Sequence, residues 1–297
     1  MPDFVLLFKA LLLSTLAGGL TTLLVGWPGR AAHPHRQRAG WILGIAAGIY
    51  AGCGAVEQWP RWPAPEDRDR LLTVLLPVAL LVEIVAVSLQ ARWLVWLLRA
   101  LIACAAAPIL LYNTVYLADL SGPGSAEWSP VLAAAILLGL AILLVGVWGL
   151  LAALQQRTSE QESAAGLAMT AIAAAVTVML SGYFRGGLLG LPVAGAIGGA
   201  ALASCALPAR SSPDYSQGIA LIGLFSVLLI GHFFGALPMS SALCLWCAPL
   251  LGWLPEAAGL GRLSPRTRCA TRLILVAACL IAVVMWAQIR FRAALAS

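Results

Sequence analysis

The stretch VEIVAVSLQARWLVWLLRAL, residues 82–101, determines how the chain is arranged. It lies within an apolar run from Leu71 to Asn113 that contains no glycine, and one helix over this run would be about 64 Å long. Since the hydrocarbon core of a bilayer is about 30 Å thick, such a helix would leave half of its apolar surface in water. We therefore predict two helices joined by a tight turn at QAR, residues 90–92, with Trp93 and Trp96 at the membrane interface.

Two ionisable residues of opposite charge lie in this stretch. Glu83 precedes Ala91 by eight residues and Arg99 follows it by eight, so both side chains would lie at the same depth of a hairpin, about 12 Å from the turn. A charged side chain at the centre of a membrane costs about 2.5–3.5 kcal/mol, and an ion pair would reduce both penalties. We expect a buried pair that fixes the register of the hairpin; a gating, proton-relay or ligand-binding role is the alternative.

The composition of the whole chain indicates the same environment. Of the 297 residues, 61% are apolar and 10% are charged, and the mean hydropathy is +0.93. Soluble domains are about 45–50% apolar and about 25% charged. We therefore predict an all-α polytopic membrane protein with no soluble domain. The net charge of +6 comes from scattered arginines, which are typical of topology signals, so the expected partner is the lipid bilayer and not nucleic acid.

Ten apolar segments are long enough for a membrane crossing of about 20 residues. The segment 239–256 contains Pro249 and Pro255, so a re-entrant or interfacial segment, and nine crossings in all, is the alternative. The predicted segments are 4–27, 41–59, 71–90, 93–113, 130–154, 165–184, 187–207, 217–237, 239–256 and 270–290.

Arginines in the connecting loops set the predicted orientation. The loops after the odd-numbered segments carry more arginine and are assigned to the cytoplasm, which places the N-terminus outside. The composition, rich in alanine, glycine and arginine, suggests a bacterial source and hence the cytoplasmic (inner) membrane. We treat residues 1–297 as one membrane domain. Two halves of five segments, divided near 155–164, would form an inverted repeat of the kind found in many transporters, and this is the alternative.

Glycines recur at four-residue spacing in the second and seventh segments. This spacing places them in a stripe along one helix face, where another helix can approach closely. We favour tight helix packing, and the alternative is that the small residues line a conduit or a lipid or quinone groove. The glycines are Gly40, Gly44, Gly48, Gly52, Gly195 and Gly199.

Three further polar residues are candidates for a site. Glu57 and His232 are predicted near the outer ends of the second and eighth segments, and Arg185 lies in the turn SGYFRGG. We expect all three at the membrane interface, where Arg185 can reach lipid phosphate. A proton-carrying role for His232 with Glu57 or Glu83 is the alternative. One histidine without a second ligand at suitable spacing does not predict a metal site.

The cysteines and the known motifs give little support to an enzyme. Cys244 and Cys247 form a CxxC pair, which is typical of thiol redox sites, but no second pair is present to pass electrons on. The sequence contains no HExxH, Walker or GxSxG motif. We therefore predict no cofactor and favour a non-enzymatic function.

The function that we rank first is a transporter-like or permease-like role for a small solute or a lipid. The alternatives are a non-catalytic anchor or scaffold subunit, in a larger complex or a homo-oligomer, and an intramembrane thiol-redox enzyme. A solute pathway through the charge pair predicts a water-accessible cavity that contains Glu83 or Arg99.

Overall fold

The computed structural model describes residues 4–27, 34–56, 59–118, 128–207, 217–257 and 264–296. Over these ranges the chain is helical and contains no β-strand. The elements are α1 (Phe4–Gly26), α2 (Pro34–Ala55), α3 (Asp67–Arg70), a π-helical turn (Leu71–Leu75), α4 (Leu76–Ser88), α5 (Arg92–Leu110), α6 (Pro130–Gln155), α7 (Glu160–Leu180), α8 (Phe184–Ala206), α9 (Gly218–Phe233), α10 (Met239–Cys247), a 3-10 helix (Ala248–Trp253), α11 (Leu254–Ala257) and α12 (Pro265–Ala296).

Among the described residues, seven helical segments are long and apolar enough to cross a membrane, as expected of a membrane-embedded protein. They are α1, the continuous segment from α3 to α4, α5, α6, α7, α8 and α12. The predicted count of ten crossings is not confirmed. Glycine and an initial polar turn lower the hydropathy of α2, α9 has only 16 residues, and the ninth predicted segment is interrupted.

The ninth segment is not one continuous α-helix. The chain leaves α-helical geometry after Cys247, and a 3-10 helix leads into the short α11. Pro249 lies in the first turn of the 3-10 helix, and its ring and missing N–H oppose continuation of an α-helix from α10. The re-entrant or interfacial interpretation therefore stays open for this segment.

The helices α4 and α5 form the hairpin that the sequence predicts. Between them, Leu89 and Ala91 adopt extended backbone conformations, which end one helix and precede the next. Trp93 is exposed at the beginning of α5, whereas Trp96 is partly buried against the core. The first helical arm begins at Asp67, one turn earlier than predicted, because acidic residues favour a helix N-terminus.

The helix α9 lies at the centre of the fold. Every residue from Gly218 to Gly231 is buried, and α9 contacts α2, α4, α5, α6, α7, α8 and α10. A helix that is apolar and covered on all sides is a core helix, so it need not match the bilayer thickness. Its two ends lead to the two sites described below.

Helices α1, α2 and α8 pack through the predicted glycine stripes. A Cβ atom at Gly44 or Gly48 would collide with backbone oxygens of α1, and one at Gly199 would collide with the backbone of Thr15. The helices approach this closely only because these positions lack side chains. The stripes are therefore occupied by helix contacts and not by a conduit. Close approaches of the same kind occur at Gly40, Gly52 and Gly195.

Candidate functional site

Glu83 on α4 and Arg99 on α5 form a bidentate ion pair. The Arg99 Nε atom donates to Glu83 Oε1 at 2.9 Å, and Nη2 donates to Oε2 at 2.8 Å. The two residues are 1% and 0% exposed. Parallel hydrogen bonds between a guanidinium and a carboxylate fix both distance and orientation, so the pair fixes how α4 lies against α5.

The surroundings of the ion pair are closed. The Arg99 guanidinium carbon lies 5.4 Å from the ring centre of Trp96 and 4.9 Å from that of Trp148, which allows cation–π attraction. Gly218, the first residue of α9, leaves room for the Glu83 carboxylate, with which any Cβ at that position would collide. The positive end of the α9 dipole therefore adds to the stabilisation of Glu83.

This enclosure of the ion pair argues against a solute pathway through Glu83 and Arg99. Neither Glu83 nor Arg99 lines the large cavity described next, and both side chains are covered by α5, α6 and α9. The geometry favours the structural interpretation of the pair over a gating or relay role, because its charges are compensated within the fold.

A cavity of about 680 Å³ lies between α6, α9 and α10, within the range of about 300–1,000 Å³ that is typical of ligand sites. The buried helix α9 forms its floor, and α6 and α10 form its walls. Met239, Ala242, Leu243 and Trp246 line it from α10, at intervals that place them on one face of that helix. No pattern in the sequence predicted this cavity.

One end of the cavity is covered by aromatic rings. The ring centres of Tyr116, Trp128 and Phe233 lie 4.8–5.5 Å apart. The His232 ring meets the Phe233 ring edge to face at 4.9 Å, and all four residues line the cavity. We call these four residues the aromatic end. It joins α9 to the segments before α6, which are distant in the sequence.

The protonation of the His232 ring nitrogens follows from its hydrogen bond. Nδ1 lies 2.8 Å from the carbonyl oxygen of Leu237, and because a carbonyl oxygen only accepts, Nδ1 carries the hydrogen. In the neutral imidazole, Nε2 is then a hydrogen-bond acceptor. His232 and Glu83 lie at opposite ends of α9, about 20 Å apart by the helical rise, so the structure does not bring this pair together. Glu57 lies outside the described residues.

The described residues that line the cavity carry no formal charge. Its fifteen lining residues include no Asp, Glu, Lys or Arg. Gly139 of α6 keeps part of the volume open, since a Cβ there would meet no atom within 4 Å. Met239 and Leu243 of α10, which line the cavity, are exposed on the surface of the helix bundle. The cavity therefore opens onto the apolar surface of the helix bundle.

A polar cluster that sequence reasoning missed joins α3 to α5 and α8. Arg70 donates to the backbone carbonyl of Leu110 at 3.3 Å and so caps α5. The Tyr183 hydroxyl donates to the two oxygens of Asp67 at 3.3 and 3.4 Å. Burial, together with the Asp67 carboxylate, raises the pKa of Tyr183 to about 12. Arg185, two residues further on, is exposed, and its place at the membrane interface stays a prediction.

A second missed cluster ties α12 to α7 and α11. Arg272 is 6% exposed, and its Nη1 donates to Glu162 Oε2 at 2.6 Å while Nη2 donates to Glu256. The three residues come from separate helices, so the sequence offered no spacing by which to pair them. The cluster compensates the Arg272 charge and holds the three helix ends together.

Cys244 and Cys247 are exposed on α10. Their positions place them away from the face of α10 that lines the cavity. Cys279 of α12 lies near Cys244, a proximity that sequence spacing could not reveal. Within the part of the chain that the structure describes, no group of three or more His, Cys, Asp or Glu side chains could hold a metal ion.

The function must be inferred from the geometry of the cavity itself, which combines a large open volume with an apolar lining and one oriented imidazole. No protein-family model matches the sequence, and no curated protein is significantly similar to it.

Proposed function

We propose that this protein has a transporter-like role for a lipid, which it binds in the cavity between α6, α9 and α10. The observation that carries the proposal is the cavity of about 680 Å³, which has no charged residue among the described residues of its lining and opens onto an apolar surface. A small charged solute would lose its hydration there without gaining a partner of opposite charge. A lipid chain that moves in from the bilayer would exchange one apolar environment for another and would not have to lose hydration.

We also propose that the protein lies in the cytoplasmic membrane of a bacterium with its N-terminus outside. The arginine excess in the loops after the odd-numbered predicted segments supports this orientation. Ten crossings stay part of the proposal. The complete burial of α9 supports its inclusion, because a crossing that is surrounded by other helices can be shorter than one that faces lipid.

Binding is tested by filling the cavity. A Cβ atom at Gly139 or at Gly146 would meet no atom within 4 Å, and both residues lie in α6, but only Gly139 lines the cavity. The Gly139→Phe variant should therefore occupy the cavity volume, and Gly146→Phe is its matched control with the same loss of glycine from the same helix.

The assay is photolabelling in membranes with a fatty-acyl probe that carries a diazirine group in its chain. The wild-type protein and Gly146→Phe should be labelled on the cavity faces of α9 and α10, and Gly139→Phe should lose this labelling. Equal labelling of these faces in all three proteins would overturn the binding site. So would labelling that is no stronger on α9 and α10 than on the exposed helix α12.

Transport is tested separately in reconstituted vesicles. The rate at which a fluorescent lipid moves between leaflets should be higher with the wild-type protein than with Gly139→Phe or with protein-free vesicles. Equal rates in the three preparations would overturn the transporter-like role.

A further inference from the structure

We propose that the ligand of the cavity is an uncharged membrane lipid with a free hydroxyl group, which donates a hydrogen bond to Nε2 of His232. This inference rests on the proposed function and specifies the class of lipid. It is carried by three features of the cavity: the absence of charge, the state of each polar side chain at its surface, and the distance between its polar end and its apolar body.

The absence of charge among the described lining residues disfavours an ionic headgroup in the interior. None of the fifteen lining side chains carries a formal charge, and an ion buried without a partner is strongly disfavoured. A phosphate group would need a Lys or Arg, and an ammonium group would need a carboxylate. The lining therefore selects molecules whose polar part is neutral.

Among the described polar side chains of the lining, His232 offers the strongest acceptor for a ligand. The Tyr116 hydroxyl donates to the carbonyl of Phe233, at 3.5 Å, and its phenolic oxygen is a weaker acceptor than a neutral imidazole nitrogen. The indole nitrogen of Trp246 is enclosed by protein, and an indole N–H only donates in any case. His232 uses Nδ1 for the Leu237 carbonyl, so Nε2 is the acceptor that the aromatic end presents. A hydroxyl group is the neutral lipid group that donates to it.

The arrangement along α9 fits an amphipathic molecule. His232 lies seven residues beyond Phe225, which lines the cavity against Trp246, and seven residues of helix span about 10 Å. One end of the cavity is thus polar and aromatic, while the rest of its length is hydrocarbon. A lipid with its hydroxyl at His232 would place its acyl chain along α9.

The test uses two replacements of His232 that separate its two ring nitrogens. Asparagine carries its amide nitrogen at the position of Nδ1, so His232→Asn can keep the hydrogen bond to Leu237 but has no atom at the position of Nε2. Glutamine reaches further, so His232→Gln can offer its amide oxygen near the position of Nε2. The two variants therefore differ in the feature that the proposal requires.

Three probes with the same brominated acyl chains measure recognition: a diacylglycerol, its O-acetyl ester and the corresponding phosphatidic acid. Bromine quenches the fluorescence of nearby tryptophans, and both Trp128 and Trp246 line the cavity. The titrations are done with detergent-solubilised full-length protein at about pH 8, where imidazole side chains are ordinarily neutral.

We expect the wild-type protein to bind the diacylglycerol about fivefold more tightly than the acetyl ester, the effect of one neutral hydrogen bond. The His232→Asn variant should bind both equally, and His232→Gln should keep a preference. Phosphatidic acid should bind more weakly than the diacylglycerol to the wild-type protein. Equal affinities of the wild type for the diacylglycerol and its ester would overturn the inference, as would a full preference in His232→Asn.

These outcomes are distinct from failure of the proposed function. If the cavity binds acyl chains and Gly139→Phe abolishes binding, but the hydroxyl makes no difference, only the identity of the ligand is wrong. If every probe quenches the tryptophan fluorescence of Gly139→Phe as strongly as that of the wild type, the cavity is not the binding site. Both proposals are then wrong.

Discussion

Replacement of Glu83 and Arg99, singly and together, tests how the central hairpin is held. The variants are Glu83→Leu, Arg99→Met and the combination of the two. Each single variant leaves one buried charge without its partner, in contact with tryptophan rings and a helix terminus. The double variant removes both charges and leaves two flexible apolar side chains of similar reach in the space beside Trp96 and Trp148.

The expected magnitudes follow from the enclosure of the pair. Both residues are at most 1% exposed, so loss of one partner should cost about 3–5 kcal/mol of the free energy of unfolding. Glu83→Leu should cost more than Arg99→Met, because a stranded carboxylate can take up a proton whereas a guanidinium cannot lose one. The double variant should lie within about 1 kcal/mol of the wild type. The coupling energy should then be at least about 5 kcal/mol.

The assay is denaturant unfolding in detergent micelles, followed by tryptophan fluorescence, with thermal stability as a second readout. Arg185→Met, which removes an exposed arginine, is the control and should change the free energy by no more than about 0.5 kcal/mol. Additive costs of the two single variants would refute the reasoning. A cost below about 1 kcal/mol for Glu83→Leu would show that the pair does not hold the hairpin.

Two further predictions concern packing and pH. The Gly199→Ala variant should lose about 2 kcal/mol or more of stability, because its methyl group would overlap the backbone of Thr15. Its neighbour Gly198→Ala should be neutral or gain about 0.5–1 kcal/mol, since a Cβ there meets no atom within 4 Å; equal effects in unfolding titrations would contradict the packing role. The pKa of Tyr183 is raised from 10.0 to about 12, so the native state keeps a proton that the unfolded chain loses. That stabilisation is complete below about pH 10 and disappears as the pH approaches 12, and Tyr183→Phe should flatten this part of the stability profile relative to the wild type; an unchanged profile would show that ionisation of Tyr183 does not contribute to the loss of stability above about pH 10.

The hairpin and its ion pair could be predicted because both depend on the number of residues within one segment of the chain. The bilayer thickness limits helix length, and equal spacing about Ala91 places Glu83 and Arg99 at equal depth. The glycine stripe of α2 could be interpreted as a packing surface for the same reason, since four-residue spacing fixes which side chains share a helix face. In each case, the deciding interaction lies within one helix or between helices that follow each other.

The cavity and the two polar clusters could not be predicted in this way. They depend on how helices that are distant in the sequence lie relative to each other: α6, α9 and α10 for the cavity, and other helices for the clusters. The spacing of residues in the sequence does not determine this arrangement. Gly139 and Gly146 look alike in the sequence, yet only Gly139 lines the cavity. The predicted count of ten crossings is not confirmed for a related reason. The minimum length of about 20 residues for a crossing does not distinguish a lipid-facing helix from a buried one such as α9.

The helix α9 links the ion pair to the cavity. Its first residue, Gly218, is packed against the Glu83 carboxylate, and its last turn carries His232 to the aromatic end. Because α9 is buried over nearly its whole length between these points, a shift of α9 would disturb its packing with the surrounding helices or the contact with Glu83. The walls are less constrained, since α6 and α10 are not covered on all sides and expose apolar side chains such as Ile142 and Met239. Any adjustment of the cavity to its ligand should therefore occur in α6 and α10, while the ion pair holds the floor and its histidine in place.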